Sequence, residues 1–152
     1  MVDSESYQGV ERRAEPRAPS SAELKILVVD DSKTIVTVLR KMLSQNGYTV
    51  FTAVDGKEAI ELATQHRPDV IFLDIVMPGM NGFAALRGLR RGQETRSIPV
   101  IMMSGNEQAT EEFYVQRIGA DDFMKKPFSR AEVFARIERL LANRNTAAQA
   151  QG

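Results

Sequence analysis

Five polar side chains stand immediately after short apolar runs. Asp30 and Asp31 follow Lys25-Ile-Leu-Val-Val29, Asp74 follows Val70-Ile-Phe-Leu73, Ser104 follows Val100-Ile-Met-Met103, and Lys126 follows Phe123-Met-Lys125. Carboxylates gathered in one place form a hard oxygen site for Mg²⁺ or Mn²⁺, and without a cation they repel one another. Magnesium takes few carboxylates and keeps positions open for phosphate oxygens. A carboxylate can also attack a phosphoryl group to form an aspartyl phosphate, and an ammonium can neutralise the charge on that group. Each residue has a plainer reading as well. Asp30-Asp31 can end a strand and cap a helix, Asp74 can be a solvated loop carboxylate, and Ser104-Gly105 can be a turn.

Chemistry shared among these residues requires an architecture that brings them together. Helix-like and strand-like segments alternate along the chain. Ser32 to Gln45 places Ile35, Val38, Leu39, Met42 and Leu43 at helical spacing, with Asn46-Gly47 as its stop. Tyr48 to Val54 is a strand with no polar residue of interest at its end. Gly56 to Gln65 is a helix with Asp55 as its cap, and Phe83 to Arg91 is a shorter one. Pro99 opens the next strand, where a proline is tolerated. Glu107 to Ile118 forms a weakly amphipathic helix closed by Gly119. Ser129-Arg-Ala-Glu132 is a capping box for a last helix with Val133, Phe134, Ile137, Leu140 and Leu141 on its apolar face.

Such alternation predicts an α/β fold with parallel strands, right-handed helical crossovers and helices on both faces of the sheet. The strand runs are continuously apolar, as strands buried on both sides must be. In such a sheet all strand C-termini open on one edge, where residues distant in sequence meet. Lys126 precedes Pro127, which favours an extended backbone and aims the ammonium from the strand end. Lys125 points the other way and is read as a solvated charge. Pro78, Gly79 and Gly82 shape a tight loop after Asp74.

Composition narrows the partners. Lys and Arg total 20 and Asp and Glu total 20, so no net charge draws nucleic acid or an anionic membrane. Cysteine is absent, which removes thiolate metal sites and thiol nucleophiles. No apolar run approaches the roughly 20 residues of a membrane span, and the polar N-terminus is no signal peptide. The expectation is a cytoplasmic protein. Residues 1–23 read as a flexible tail, residues 24–143 as one domain, and residues 144–152 as a second flexible tail.

Together Asp30-Asp31, Asp74-Ile-Val-Met-Pro-Gly-Met-Asn-Gly82, Ser104 and Lys126-Pro127 resemble the receiver domain of two-component response regulators. The resemblance spans about residues 24 to 143. It implies a flavodoxin-like fold, a parallel five-stranded sheet of order 2-1-3-4-5. It implies Asp74 as phosphoacceptor, Asp31 and Asp74 as direct Mg²⁺ ligands, Asp30 acting through water, and the Val76 backbone carbonyl as a further ligand. Lys126 would bind a phosphoryl oxygen and Ser104 would swing to another. Phe123 resembles the switch aromatic, turning inward to bias the surface of the fourth and fifth helices and fifth strand, although an ordinary core aromatic fits the position too. The implied donor is a sensor histidine kinase or phosphotransfer protein, and the output is a downstream target protein. Val76 and Asn106, two residues beyond Asp74 and Ser104, occupy positions that tune acyl-phosphate hydrolysis in the family.

With only a few residues after Arg144 and no apolar run among them, the chain resembles a stand-alone receiver, most like those of chemotaxis and type IV pilus motility in pattern. The chain would catalyse only its own phosphorylation and dephosphorylation. His66, the only histidine, is read as solvated rather than as a relay. Glu11-Arg-Arg-Ala-Glu-Pro-Arg17 resembles the cyclic-dinucleotide-binding arginines of PilZ domains, but the β-barrel motif that accompanies them is missing. The alternatives are therefore an unphosphorylated interaction module, a cyclic-dinucleotide-linked regulator acting through this tail, or a magnesium-dependent phosphohydrolase, for which no lid insertion is present.

Overall fold

The computed structural model describes residues 24–105 and 119–151, with side chains up to Arg144. The N-terminal tail with its arginine motif, Asn106 and the helix expected over Glu107 to Ile118 lie outside the described residues. The elements are β1 (Lys25–Val29), α1 (Lys33–Gln45), β2 (Thr49–Ala53), α2 (Gly56–His66), β3 (Val70–Asp74), α3 (Gly82–Arg91), β4 (Val100–Ser104), β5 (Asp122–Lys125) and α4 (Arg130–Gln151). All four strand pairs are parallel, and the sheet order is β2-β1-β3-β4-β5. This is the expected flavodoxin-like arrangement. The strand lacking a polar end, β2, lies at one margin.

Local signals set the helix boundaries. Ser32 caps α1 by accepting from the Ile35 N–H, and Gly47 leaves the helix at φ 91°, a left-handed conformation that favours glycine. At α2 the cap is reciprocal. Asp55 accepts from the Glu58 N–H at 2.8 Å, while the Glu58 carboxylate accepts from the Val54 N–H at 3.0 Å. At α4 Ser129 accepts from the Glu132 N–H, while the Glu132 carboxylate pairs with Arg136.

The sheet separates two apolar layers. Alternate residues of one face, including Leu27, Val29, Ile71 and Leu73, pack with Ala59 and Ala63 of α2 and with Ala85, Leu86 and Leu89 of α3. Ile26, Val28, Phe72 and Met103 pack on the other face with Leu39 and Leu43 of α1 and with Val133, Ile137 and Leu140 of α4. Strands β3 and β4 are buried along their whole length, which fixes their register.

Two expectations are corrected. Asn145 onward has no assigned structure from sequence, yet α4 continues to Gln151. Ala147, Ala148 and Ala150 favour helix, and no glycine or proline interrupts before Gly152. His66 closes α2 rather than following it, and its ring stacks on Phe51 with centroids 4.1 Å apart instead of standing in solvent. Among the described residues no helix is long and apolar enough to cross a membrane.

Candidate functional site

Because the strands are parallel, Asp30, Asp74, Ser104 and Lys126 all emerge at one edge of the sheet. One carboxylate oxygen from each of Asp30, Asp31 and Asp74 lies within 4.8 Å of the others. Asp30 and Asp74 are buried and Asp31 is exposed, so the cluster has two walls inside the protein and one opening to water. Lys126 reaches over it. Its Nζ donates to Asp30 Oδ2 at 2.7 Å and to Asp74 Oδ1 at 3.2 Å.

Asp30 directly follows β1 and pairs with Lys126, but the helix cap also read at Asp30-Asp31 falls to Ser32. Asp30 Oδ1 accepts the Ser32 N–H at 2.9 Å, forming the local turn that starts α1, while Oδ2 takes Lys126. A carboxylate occupied on both oxygens is suited to meet a metal through water. Asp31 is the wall open to direct ligation.

Asp74 ends β3. Beyond it the ladder continues for one residue, since the Ile75 N–H donates to the Met103 carbonyl at 2.9 Å. Asn81 then caps α3 by accepting from the Ala84 N–H. Burial and, second, the charge of Asp30 push the Asp74 carboxyl up from 3.8 to about 6, against the lowering effect of Lys126 and of a backbone hydrogen bond from Val76. Burial works to lower the Lys126 ammonium, but the bonds and charges of Asp30 and Asp74 outweigh it, and its pKa is raised. At neutral pH the Asp74 carboxylate therefore lies ionised under one firm positive charge. The three-carboxylate set fits a divalent cation bound by oxygen.

Ser104 is buried at the end of β4, and its carbonyl accepts the Lys126 N–H at 2.9 Å, so the hydroxyl-bearing residue and the ammonium-bearing residue share a backbone bond. Lys125 is exposed, as its alternation requires. Phe123 is 7% exposed and belongs to the apolar layer of α2 and α3, beside Met102 in register. The ring is thus already inside the core, as an ordinary core aromatic would be. Val76 is 60% exposed at the rim, with Val54 and Met80 also exposed.

The acids and the lysine that the sequence points to do meet at this edge, and two further groups contribute that it does not single out. The Ser32 N–H was signalled by Asp30 two residues before it, the spacing of an aspartate turn. Gly82, named only for its turn chemistry, makes a closer approach to Asp74 that no spacing reveals.

Comparison with known proteins agrees with this geometry. A family model described as the response regulator receiver domain matches residues 26–138. Protein PilH of Pseudomonas aeruginosa is 42% identical over 118 residues, covering 78% of this chain and 98% of PilH. The alkaline phosphatase synthesis transcriptional regulatory protein PhoP of Bacillus subtilis is 40% identical over 124 residues, covering 82% of this chain but only 51% of PhoP. Among solved structures, the receiver domain of sensor histidine kinase PA1611 from Pseudomonas aeruginosa has a TM-score of 0.73 at 31% identity. That match covers 78% of this chain and 98% of the other, which has a magnesium ion in its active-site cleft.

Proposed function

The chain belongs to the response regulator receiver-domain family, and from that membership we propose that it accepts a phosphoryl group on Asp74 from a phosphohistidine of a sensor kinase or phosphotransfer protein. The observation that carries this reading is the three-carboxylate cluster, two of whose acids, Asp30 and Asp74, are bridged by Lys126. Asp31 and Asp74 would hold Mg²⁺ directly, Asp30 through water and Val76 through its carbonyl. Bound there, the ion neutralises phosphoryl oxygens and orients them for in-line displacement. The magnesium in the PA1611 receiver supports this assignment.

In the transfer, an oxygen of Asp74 attacks phosphorus, the P–N bond to the donor imidazole breaks and an acyl phosphate forms. The attacking carboxylate must be ionised. With its carboxyl at about 6, Asp74 meets that condition near neutral pH. Lys126, held charged by its two acids, stays at the site to pair with a phosphoryl oxygen. Ser104 donates its hydroxyl to another oxygen, and its movement alters the strand end against which Phe123 packs. The affected surface, formed by the fourth and fifth predicted helices and β5, is the one a downstream protein reads.

Incubation with acetyl phosphate and Mg²⁺ followed by intact mass measurement tests the assignment. One phosphoryl group adds ~80 Da. The adduct is expected in the wild type and absent from Asp74→Ala; an undiminished adduct in the variant removes Asp74 from this role. For the switch, partner affinity is expected to differ between the phosphorylated and unmodified forms. Equal affinities exclude it.

A further inference from the structure

Gly82 stands at the first position of α3, eight residues beyond Asp74, yet it lies against the Asp74 backbone. A Cβ at Gly82 would fall 2.2 Å from the Asp74 carbonyl oxygen and 2.7 Å from the Ile75 Cα. Neither atom can give way by a rotamer change, because both are backbone. The Gly82 N–H also donates to the Ile75 carbonyl at 2.8 Å, closing residues 75–82 into a ring. Its φ is not among the left-handed values found at Gly47, Gly79 and Gly119. Space, rather than backbone conformation, therefore demands glycine here.

We infer that Gly82 is a positioning residue for the carboxylate site: its bare Cα lets the start of α3 press on the Asp74–Ile75 peptide and so sets where the Asp74 carboxylate and the Val76 backbone face the metal. The inference rests on the proposed phosphoacceptor reading. The neighbouring atoms leave little slack. On one side Ile75 is held to the Met103 carbonyl, and on the other Lys126 holds the carboxylate itself. A methyl group at Gly82 can be accommodated only by moving the peptide that carries Asp74 or by lifting the first turn of α3 and opening the ring.

The control is Gly88 in the same helix. A Cβ there would meet Ile60 Cδ1 at 2.6 Å, the far end of a flexible side chain on α2. Gly88→Ala thus perturbs α3 packing without touching Asp74.

Calorimetric Mg²⁺ titration of wild type, Gly82→Ala and Gly88→Ala tests the inference, at a temperature where circular dichroism shows each one folded. Gly82→Ala is expected to lose about tenfold or more in Mg²⁺ affinity, the size of loss typical when a ligand's support is removed. Gly88→Ala is expected to match the wild type. A Gly82→Ala affinity within about twofold of wild type, or equal losses in both variants, overturns the inference. If Gly82→Ala does not fold, amide exchange in the wild type decides instead: slower exchange of the Gly82 N–H on adding Mg²⁺ supports the coupling, and unchanged exchange overturns it. If the wild type binds no Mg²⁺ and takes no phosphoryl group, the functional reading fails separately. Amide shifts of metal-free Gly82→Ala then decide the positioning role, which stands if changes centre on Asp74 to Val76 and falls if they stay within α3.

Discussion

Lys126 and Asp74, 52 residues apart in the chain, are joined by an ion pair of 3.2 Å at the edge of the sheet. The same ammonium is 2.7 Å from the buried Asp30, so one cation serves two acids. Its distance from the nearer acid is typical of a charge-assisted bond.

Replacing that cation leaves two buried carboxylates facing each other. Lys126→Met is expected to destabilise the metal-free protein by about 3–5 kcal/mol at pH 7.5, the cost of breaking a buried pair on one side. Mg²⁺ should restore much of the loss, since it brings positive charge to the same oxygens. Urea denaturation with EDTA and with Mg²⁺ checks both parts. A variant as stable as wild type in EDTA would show that the pair contributes nothing.

The raised Asp74 carboxyl makes a signed prediction about pH. Its folded value of about 6 exceeds the unfolded value of 3.8, so the folded state prefers the protonated acid. The contribution to stability is complete below about 4 and is lost as pH rises through 6. Asp74→Asn removes this dependence and is expected to be more stable than metal-free wild type at pH 7.5, by up to about 3 kcal/mol. The difference should shrink toward pH 4. Mg²⁺ requires the ionised acid, so wild-type Mg²⁺ affinity should fall about tenfold per pH unit below 6. Calorimetry between pH 5 and pH 8 checks the metal, and denaturation over the same range checks the stability; a flat difference between the two proteins contradicts the assigned shift.

Arg90 tests how the rest of the scaffold is held. Its guanidinium donates to the carbonyls of Gly119, Arg96 and Ile98 and to Asp121, tying α3 to the approaches of β4 and β5. Arg90→Ala is expected to cost about 2–4 kcal/mol, four bonds at roughly a kcal/mol each. Mg²⁺ affinity should be unchanged, because none of these bonds reaches Asp30, Asp31 or Asp74. Paired urea and Mg²⁺ titrations of the variant check this, and a large affinity loss would place Arg90 in the site after all.

Period and punctuation made most of this fold legible. The apolar runs before Asp30, Asp74 and Ser104 are strands because they are apolar on both faces, and a parallel sheet then sends their ends to one edge. Asp55 announced the helix start it caps, whereas α1 is capped by Ser32 and not by the Asp30-Asp31 pair. Long-range contact was less visible. Nothing in the spacing says that the Arg90 fork would meet Asp121, or that Gly82 would touch the Asp74 carbonyl, because those distances depend on how α3 settles on the sheet. The continuation of α4 is not legible for a different reason: the sequence of its last turns lacks the apolar periodicity by which buried helices are recognised.

Val76 bears on how long the signal lasts. The side chain is 60% exposed at the mouth of the site and carries no donor or acceptor with which to orient a water molecule against the acyl phosphate. Hydrolysis of the phosphorylated protein should therefore be slow, with a half-life well beyond seconds. Val76→Asn supplies an amide at the same exposed position, where it can hold an attacking water without disturbing the buried acids. The expected gain in decay rate is about tenfold, a modest fraction of what full orientation can provide. Following the loss of the ~80 Da adduct over time in both proteins checks it. If Val76→Asn decays no faster than wild type, water orientation at this position is not what limits the lifetime, and a wild-type half-life of seconds would show that an apolar residue there does not slow hydrolysis at all.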